Sequence, residues 1–395
     1  MKIKIVVLCI TFILLFSFSI YADVEGDKTM FKELFTHKET NIGELFNDSF
    51  LKQVPKASIV QILNNYRDKL GSFKNAEKSQ DGYTLIFTKG TAPAKINLDT
   101  EGKISGLWFG AISLFEDNFT DILSEFKKIE GQVSIYITTD NQDEILAYNE
   151  NQKLAVGSTF KLYVLKALYE TIEGKEKSWN DIIQLKNENM SLPSGILQNW
   201  SLQSPLTVST MAKLMISLSD NTATDHLIDY IGREKIEEYV DNYNKPFLKT
   251  IEAFKLKYGV SSDLRKRYIE GKIETKEDIL VEIKNDDVVV SDISDKVSFI
   301  NDIEWFFSTK ELCQTIYDLK DTQELRINPG LVSKSNWYLA GYKGGSEPGV
   351  LQYTHLLQKE EDTPIYAVSV TVNNQNGVDE NQVTELTSRL ISLVK

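Results

Sequence analysis

The sequence predicts a small α+β domain over 23–118, followed over 119–395 by an α/β sandwich in which a mostly antiparallel sheet is flanked by helices and carries a helical subdomain. Two observations carry this expectation. From 23 to 118 helical periodicity precedes a set of short strand-like runs, the order of an α+β unit. From 119 onward two strand-like runs, a helical block, three strand-like runs and a closing helix follow one another, which suits a sheet with helices packed on it. At 395 residues the chain is long enough for about two or three domains and for a sizeable core.

The first element stands outside both domains. Lys2 and Lys4 precede an uncharged, largely apolar run from Ile5 to Ile20, and Ala22 offers a small residue before Asp23, Glu25 and Asp27. This reads as a signal peptide over 1–22, with a periplasmic or secreted protein left after cleavage. The run falls short of the ~20 residues a spanning helix needs, so no stable membrane insertion is expected, a retained anchor being the alternative. Cleavage would remove Cys9 and leave Cys313 alone, so the mature chain has no internal disulfide and Cys313 reads as a small buried hydrophobe.

In the first domain Phe31, Leu34 and Phe35 share one helical face, and Ile59, Ile62, Leu63 and Tyr66 share another, whose helix stops at Gly71. Strand-like runs follow at 83–88, 94–98 and 104–109, separated by turn signals at Lys89-Gly90 and Asp99-Thr100-Glu101-Gly102. The second domain opens with a short helix over 122–129. A strand hairpin of 133–139 and 145–148 follows, then a helix from Ser158 with Phe160, Val164, Leu165 and Leu168 on its apolar face. Helical patterning covers 207–243. The last strands are 338–342, 350–357 and 365–372, before a helix over 382–394.

Charge excludes one class of partner. Lys and Arg number 44 against 57 Asp and Glu, a net charge of −13, and no basic run with interleaved aromatics occurs, so nucleic acid is not an expected partner. The three histidines, His37, His226 and His355, lack metal-ligand spacing, which argues against a zinc site, and His355 reads as a pairing or surface residue. Residues 341–349 hold glycines but lack the strand-turn-helix setting of a phosphate loop, so no cofactor is expected.

Ser158-Thr159-Phe160-Lys161 places a hydroxyl and an amine three residues apart at a helix start, hence on one face one turn apart. A lysine kept neutral by desolvation can take the serine proton, and the free N–H groups of a helix N-terminus can meet a developing oxyanion. The string alone is unspecific. Ser49/Lys52 and Ser124/Lys127 match it too, and each can be a helix cap beside an exposed lysine. Two further strings occur once each. Ser219-Asp220-Asn221 lies between the helix marked by Met211, Leu214, Met215 and Leu218 and the helix of Leu227, Ile228 and Ile231; by itself it could be a capped turn. Lys343-Gly344-Gly345 closes a strand-like run and could be a plain hairpin turn.

Ser-x-x-Lys, Ser-Asp-Asn and Lys-Gly-Gly, in this order and on helix, inter-helix turn and strand end, resemble the active-site set of class A β-lactamases and penicillin-binding proteins. Thr207-Val208-Ser209, Thr222-Ala223 after Ser219-Asp220-Asn221, and Ile231-Gly232 look like the corresponding class A segment, and the separation of Ser158 from Ser219 is also similar. The resemblance covers about 119–395. The stretch 23–118 looks like the cystatin/NTF2-like domain that precedes the hydrolase domain in some two-domain serine hydrolases. The resemblance implies Ser158 as the acyl-accepting nucleophile, Lys161 as its base or relay, and Ser219 as proton donor to the leaving nitrogen. It implies Asn221 as the ligand of the substrate's side-chain amide and Lys343 as the partner of the substrate carboxylate. An oxyanion hole would come from the N–H groups of Ser158 and Ser346, with Gly345 and Ser346 among the substrate-binding residues.

The chain departs from that pattern twice. No Glu-x-x-Leu-Asn string supplies the carboxylate that activates the deacylating water, and Glu252 is the one nearby candidate, its alternative being an exposed helix residue. The stretch from Ser219 to Lys343 is longer than the class usually shows. Its surplus, within 245–300, carries Arg265-Lys266-Arg267 and Asn285-Asp286-Asp287 and suits a helical lid or a solvated insertion equally. The resemblance thus implies an exported serine β-lactamase, an antibiotic-resistance activity, acting on a small-molecule substrate. A DD-peptidase or esterase working on cell-wall peptides or esters remains open, as does a β-lactam-binding or sensing module that acylates without turnover.

Overall fold

The computed structural model describes residues 24–36, 39–286 and 288–394. The leader expected over 1–22, with Cys9, lies outside the described residues, as do His37 and Asp287. Among the described residues no helix is long and apolar enough to cross a membrane. The chain forms two units, divided after Gly110 and not at 118 as the sequence suggests. The segment after Gly110 belongs with the second unit because Asp117 is buried against Arg389, at 2.6 Å, in the closing helix of that unit.

In the first unit α1 (Val24–Thr36) buries Phe31, Leu34 and Phe35, and α2 (Asp48–Gln53) leads to α3 (Lys56–Leu70), which buries Ile59, Leu63, Tyr66 and Leu70. Gly71, at φ +77, ends α3 in the left-handed region that glycine adopts without strain. Four strands follow as an antiparallel meander, β1 (Phe73–Ser79), β2 (Gly82–Phe87), β3 (Gly90–Leu98) and β4 (Ile104–Phe109). The sequence reading lacks β1. Only Ala76 of its Phe-Lys-Asn-Ala-Glu-Lys-Ser string is buried, so no alternation marks it.

The second unit opens with β5 (Ser113–Leu114) and α4 (Phe119–Phe126), whose start is set by Asn118 accepting the Asp121 N–H at 3.0 Å rather than by the apolar run from Ile122. Then come β6 (Gln132–Thr139), β7 (Glu144–Tyr148), β8 (Leu154–Ala155) and α5 (Lys161–Glu173). The helical block adds the pair β9 (Ile182–Gln184) and β10 (Pro205–Thr207), with α6 (Val208–Ser217), α7 (Asn221–Ile231), α8 (Arg233–Glu237) and α9 (Thr250–Phe254). It continues through a π-helical turn at Lys255–Gly259, α10 (Ser262–Glu270) and α11 (Ile273–Glu282). The chain returns through β11 (Phe306–Phe307) and α12 (Thr309–Asp318) to β12 (Leu339–Glu347), β13 (Val350–Gln358), β14 (Ile365–Asn373) and α13 (Glu380–Ser392).

The sheet order is β12-β13-β14-β6-β7, antiparallel throughout. Strand alternation divides its side chains between two cores. Val133, Ile135 and Ile137 of β6 and Val368, Val370 and Val372 of β14 meet Ile122 and Phe126 of α4 and Val383, Leu386 and Leu390 of α13. Tyr136, Leu356 and Ala367 point the other way, into the core of α5, α6, α7 and α12 that also takes in Cys313. The expected α/β sandwich with a helical subdomain is therefore the architecture of this unit. The 245–300 insertion is packed rather than loosely solvated: Leu256, Tyr268, Ile279, Leu280 and Ile283 belong to the same core as α5 and α7.

Candidate active site

Three segments meet where the sheet edge faces the helical block. The first enters through β8, which pairs with β11, and Val156 donates its N–H to the Trp305 carbonyl at 3.0 Å. A 3-10 turn at Gly157–Phe160 then precedes α5, so Ser158 lies in a tight turn just ahead of the helix and Lys161 is its first residue. Phe160 stacks on Trp305 with ring centroids 3.8 Å apart, which anchors the turn from behind. Ser158 stays partly open to solvent; Lys161 is fully buried.

The second segment is the turn between α6 and α7. Ser219 has φ +55, a left-handed conformation that a serine adopts only under constraint. The constraint is the buried Asp220, whose carboxylate accepts the N–H groups of Ala223 at 2.8 Å, Ile196 at 2.7 Å and Leu197 at 3.0 Å. The helix cap that could have been the whole explanation of Ser-Asp-Asn is thus present, and it aims Ser219 and Asn221 into the site. Asn221 donates from Nδ2 to the Leu192 carbonyl at 2.7 Å and accepts at Oδ1 from Lys161.

The third segment differs from the expected turn. Lys343, Gly344 and Gly345 lie inside β12, which runs on to Glu347, with Lys343 opposite Thr354 and Ser346 opposite Leu351; the hairpin bends only at Pro348-Gly349. The glycines serve a close approach. A Cβ on Gly345 would lie 2.1 Å from the Val156 carbonyl oxygen and 2.6 Å from Ser158 N, and one on Gly157 would lie 3.3 Å from Ser346 N. The backbone amides of Ser158 and Ser346 are thereby held on two segments in direct contact.

Lys161 Nζ is the centre of the cluster, 3.3 Å from Ser158 Oγ, 3.1 Å from Ser219 Oγ, 2.5 Å from the Ser219 carbonyl oxygen and 2.7 Å from Asn221 Oδ1. Two of these partners, the carbonyl and the amide oxygen, can only accept. A neutral amine has two N–H bonds to satisfy them and a lone pair left for the hydroxyls. Burial lowers Lys161 to about 7, opposed by the negative charges of Asp225 and Asp220. Lys343, also buried, lies well below the ordinary lysine range, first through burial and then through Lys161; its Nζ meets Ser219 Oγ at 3.1 Å and the Gly344 carbonyl.

Glu252 is not brought into this cluster. Its Oε1 accepts from Arg233 Nη2 at 2.6 Å and its Oε2 from the Lys249 N–H at 2.8 Å, so it caps α9 and pairs with an arginine. Among the described residues no carboxylate hydrogen-bonds Ser158, Lys161, Ser219 or Lys343. His355 is fully buried, not at the surface, accepting the Leu331 N–H at 3.1 Å and packed on Tyr342; burial pushes it down to about 3. Among the described residues there is no group of three or more His, Cys, Asp or Glu able to hold a metal ion.

Sequence reasoning missed two supporting groups. Asp225, one turn after Asn221 on α7, accepts from Thr250 N at 2.7 Å, Thr250 Oγ1 at 2.8 Å and Ile251 N at 2.8 Å, and burial pushes it up to about 7 against those donors. A charged residue within the apolar spacing of Leu227 and Ile228 was its only local signal. Thr159 donates to Gln352 Oε1 at 2.5 Å, and Gln352 donates on to Thr354 and Ser369, tying the turn of Ser158 to the sheet; nothing local announces that network.

A family model described as the beta-lactamase enzyme family matches residues 114–392. A beta-lactamase of Bacteroides uniformis is 30% identical over 128 residues, 31% of this chain and 42% of that protein. One of Bacillus amyloliquefaciens is 25% identical over 109 residues, 28% of this chain and 35% of that protein. The chain therefore spans less than half the length of these curated relatives. Among solved structures, a beta-lactamase from Sphaerobacter thermophilus has a TM-score of 0.48 at 16% identity, over 70% of this chain and 97% of that one. PBP-A has a TM-score of 0.46 at 15% identity, over 69% and 94%.

Proposed function

The chain belongs to the beta-lactamase enzyme family, and on that premise we propose that it is an exported serine hydrolase that opens β-lactams through an acyl-serine intermediate. The observation that carries this reading is the position of Lys161 Nζ between the hydroxyls of Ser158 and Ser219, with its other two contacts to acceptors and its charge weakened by burial. Ser158 Oγ attacks the ring carbonyl as its proton passes to the Lys161 amine. The oxyanion is met by the N–H groups of Ser158 and Ser346. As the C–N bond breaks, the proton moves from Lys161 through Ser219 to the departing nitrogen. Lys343 faces the substrate carboxylate, whose negative charge favours its protonated form. Asn221 keeps one amide hydrogen and one lone pair for the substrate's side-chain amide. Water then attacks the ester, and the Ser158 oxygen takes back a proton.

With Glu252 committed to Arg233 and the α9 cap, Lys161 is left to activate that water as well. The same commitment favours a second reading, a β-lactam-binding module that acylates and releases slowly. A DD-peptidase or esterase would share the acylation chemistry and differ in substrate. Export to the periplasm or the medium is supported by the leader read over 1–22, and the unit over 24–110 is proposed as a separate module ahead of the hydrolase. Chromogenic cephalosporin turnover measured beside fluorescent-penicillin labelling separates these readings. Labelling with turnover supports the β-lactam hydrolase, labelling without turnover supports the binding module or a DD-peptidase, and a protein showing neither contradicts the β-lactam readings.

A further inference from the structure

We infer that Lys257, in the inserted segment, is a positioning residue that holds together the two chains supplying the oxyanion N–H groups, reaching the Ser158 side through Glu304 and the Ser346 side through Glu347. The inference rests on the reading of Ser158 as the acylated nucleophile. Lys257 sits in the π-helical turn at Lys255–Gly259, and its Nζ donates to Glu347 Oε1 at 2.8 Å, to Glu347 Oε2 at 2.7 Å and to Glu304. The side chains of Lys257 and Glu304 are 2% and 1% exposed, and that of Glu347 17%.

Glu347 is next in the chain to one oxyanion amide, and Glu304 reaches the turn of the other through Trp305 and Val156. Glu347 follows Ser346 directly and is the last residue of β12. Glu304 precedes Trp305, whose carbonyl accepts the Val156 N–H at 3.0 Å and whose indole stacks on Phe160, so Trp305 grips the turn of Ser158 from both ends. Trp305 Nε1 in turn donates to the Leu248 carbonyl at 3.1 Å, which roots this strap in the inserted segment. The two chains that the lysine bridges touch at Gly345 and Gly157, where no side chain fits between them.

Overall stability is a poor explanation for the cluster. A buried ion cluster recovers little beyond the cost of desolvating its charges, and apolar residues of the same volume often serve as well. What it does supply is registry: one ammonium can satisfy two carboxylates on separate chains only when both stand at fixed places around it. Removing the ammonium leaves two buried carboxylates facing each other, which must share a proton or move apart. Either response shifts the end of β12 against the nucleophile's turn, and an oxyanion hole is sensitive to small displacements of its donors.

The test uses the full chain acylated with a penicillin and reads two quantities: the acylation rate constant, and the infrared carbonyl band of the acyl ester, which hydrogen bonds in the hole lower. Lys257→Met is expected to cut acylation about 10- to 100-fold, to leave the dissociation constant of the non-covalent complex within threefold, and to move the carbonyl band to higher wavenumber. Lys257→Arg, which keeps the charge and can bridge both carboxylates, should restore most of the rate and the band position. Arg389→Met, on α13, breaks a separate ion cluster, that of Arg389 with Asp117 and with Glu125 of α4; it should lower Tm and leave the band in place. If Lys257→Met does not fold, Glu304→Gln carries the same expectation with its volume kept. A folded Lys257→Met or Glu304→Gln variant with parental rate and band overturns the inference, as does an equal band shift in Arg389→Met. A parent that forms no adduct at Ser158 overturns the reading of the site itself and the inference with it.

Discussion

Lys161 is bound twice to Ser219: its Nζ meets the carbonyl oxygen at 2.5 Å and the hydroxyl at 3.1 Å. Ser219 offers both groups to one nitrogen from a left-handed backbone at φ +55, next to the Asp220 carboxylate that caps α7. The carbonyl fixes the amine in place while the hydroxyl leads away toward Lys343. Ser219→Ala keeps the first contact and cuts the second. Labelling should stay on Ser158 while acylation slows by about 10²- to 10⁴-fold, the usual worth of a proton-transfer group; stopped-flow acylation kinetics check it.

The pH dependence of acylation follows from the burial of Lys161. Its amine loses its proton at about 7 rather than near 10.5. The form able to take the Ser158 proton therefore accumulates as pH rises through about 7, so the acylation rate should climb through that range, where Asp225, pushed up to about 7, titrates with it. A rate that is flat between pH 5 and 9 would contradict Lys161 as the base.

Asp225 acts on that rise without touching substrate. Its negative charge raises Lys161, so Asp225→Asn should move the midpoint to lower pH. The same change leaves the donors at Thr250 and Ile251 facing an amide that accepts fewer hydrogen bonds, at a cost of about 1–3 kcal/mol in stability. Thermal melts and the pH profile of acylation together separate the two effects, since a purely structural residue would lower Tm and leave the midpoint alone.

Glu252→Gln tests the reassigned glutamate. With both oxygens committed to Arg233 and the Lys249 N–H, the substitution should leave acyl-enzyme lifetime and turnover within twofold of the parent. Losing the charge beside the largely buried Arg233 should lower Tm without touching the chemistry. An adduct that becomes trapped, followed by intact mass spectrometry, would restore Glu252 as the water-activating base.

The parts of this molecule that could be read from the chain are those written in local strings and periods. The order of helices and strands, the Ser158/Lys161 pair one turn apart and the single copies of Ser-Asp-Asn and Lys-Gly-Gly needed no tertiary knowledge. β1 escaped because its Lys, Asn and Glu side chains face solvent around one buried Ala76. The strand character of Lys343–Glu347 was hidden by its glycines, whose purpose is the contact with Val156 and Ser158 in a distant segment. Glu252 looked available because its partner Arg233 is nineteen residues away and its cap contact depends on where α9 begins. Gln352 meets Thr159, Asp225 meets Thr250, and Lys257 meets Glu304 and Glu347 only after folding, across separations no short window of sequence spans.

The most direct test of the account is the mass of the protein after incubation with a penicillin, read on the parent and on Ser158→Ala, with proteolysis to locate the adduct. The account predicts one penicilloyl group on the peptide containing Ser158 in the parent and none on Ser158→Ala, with Ser49 and Ser124 unmodified in both. An adduct that persists in Ser158→Ala, or that maps to another serine in the parent, would contradict it.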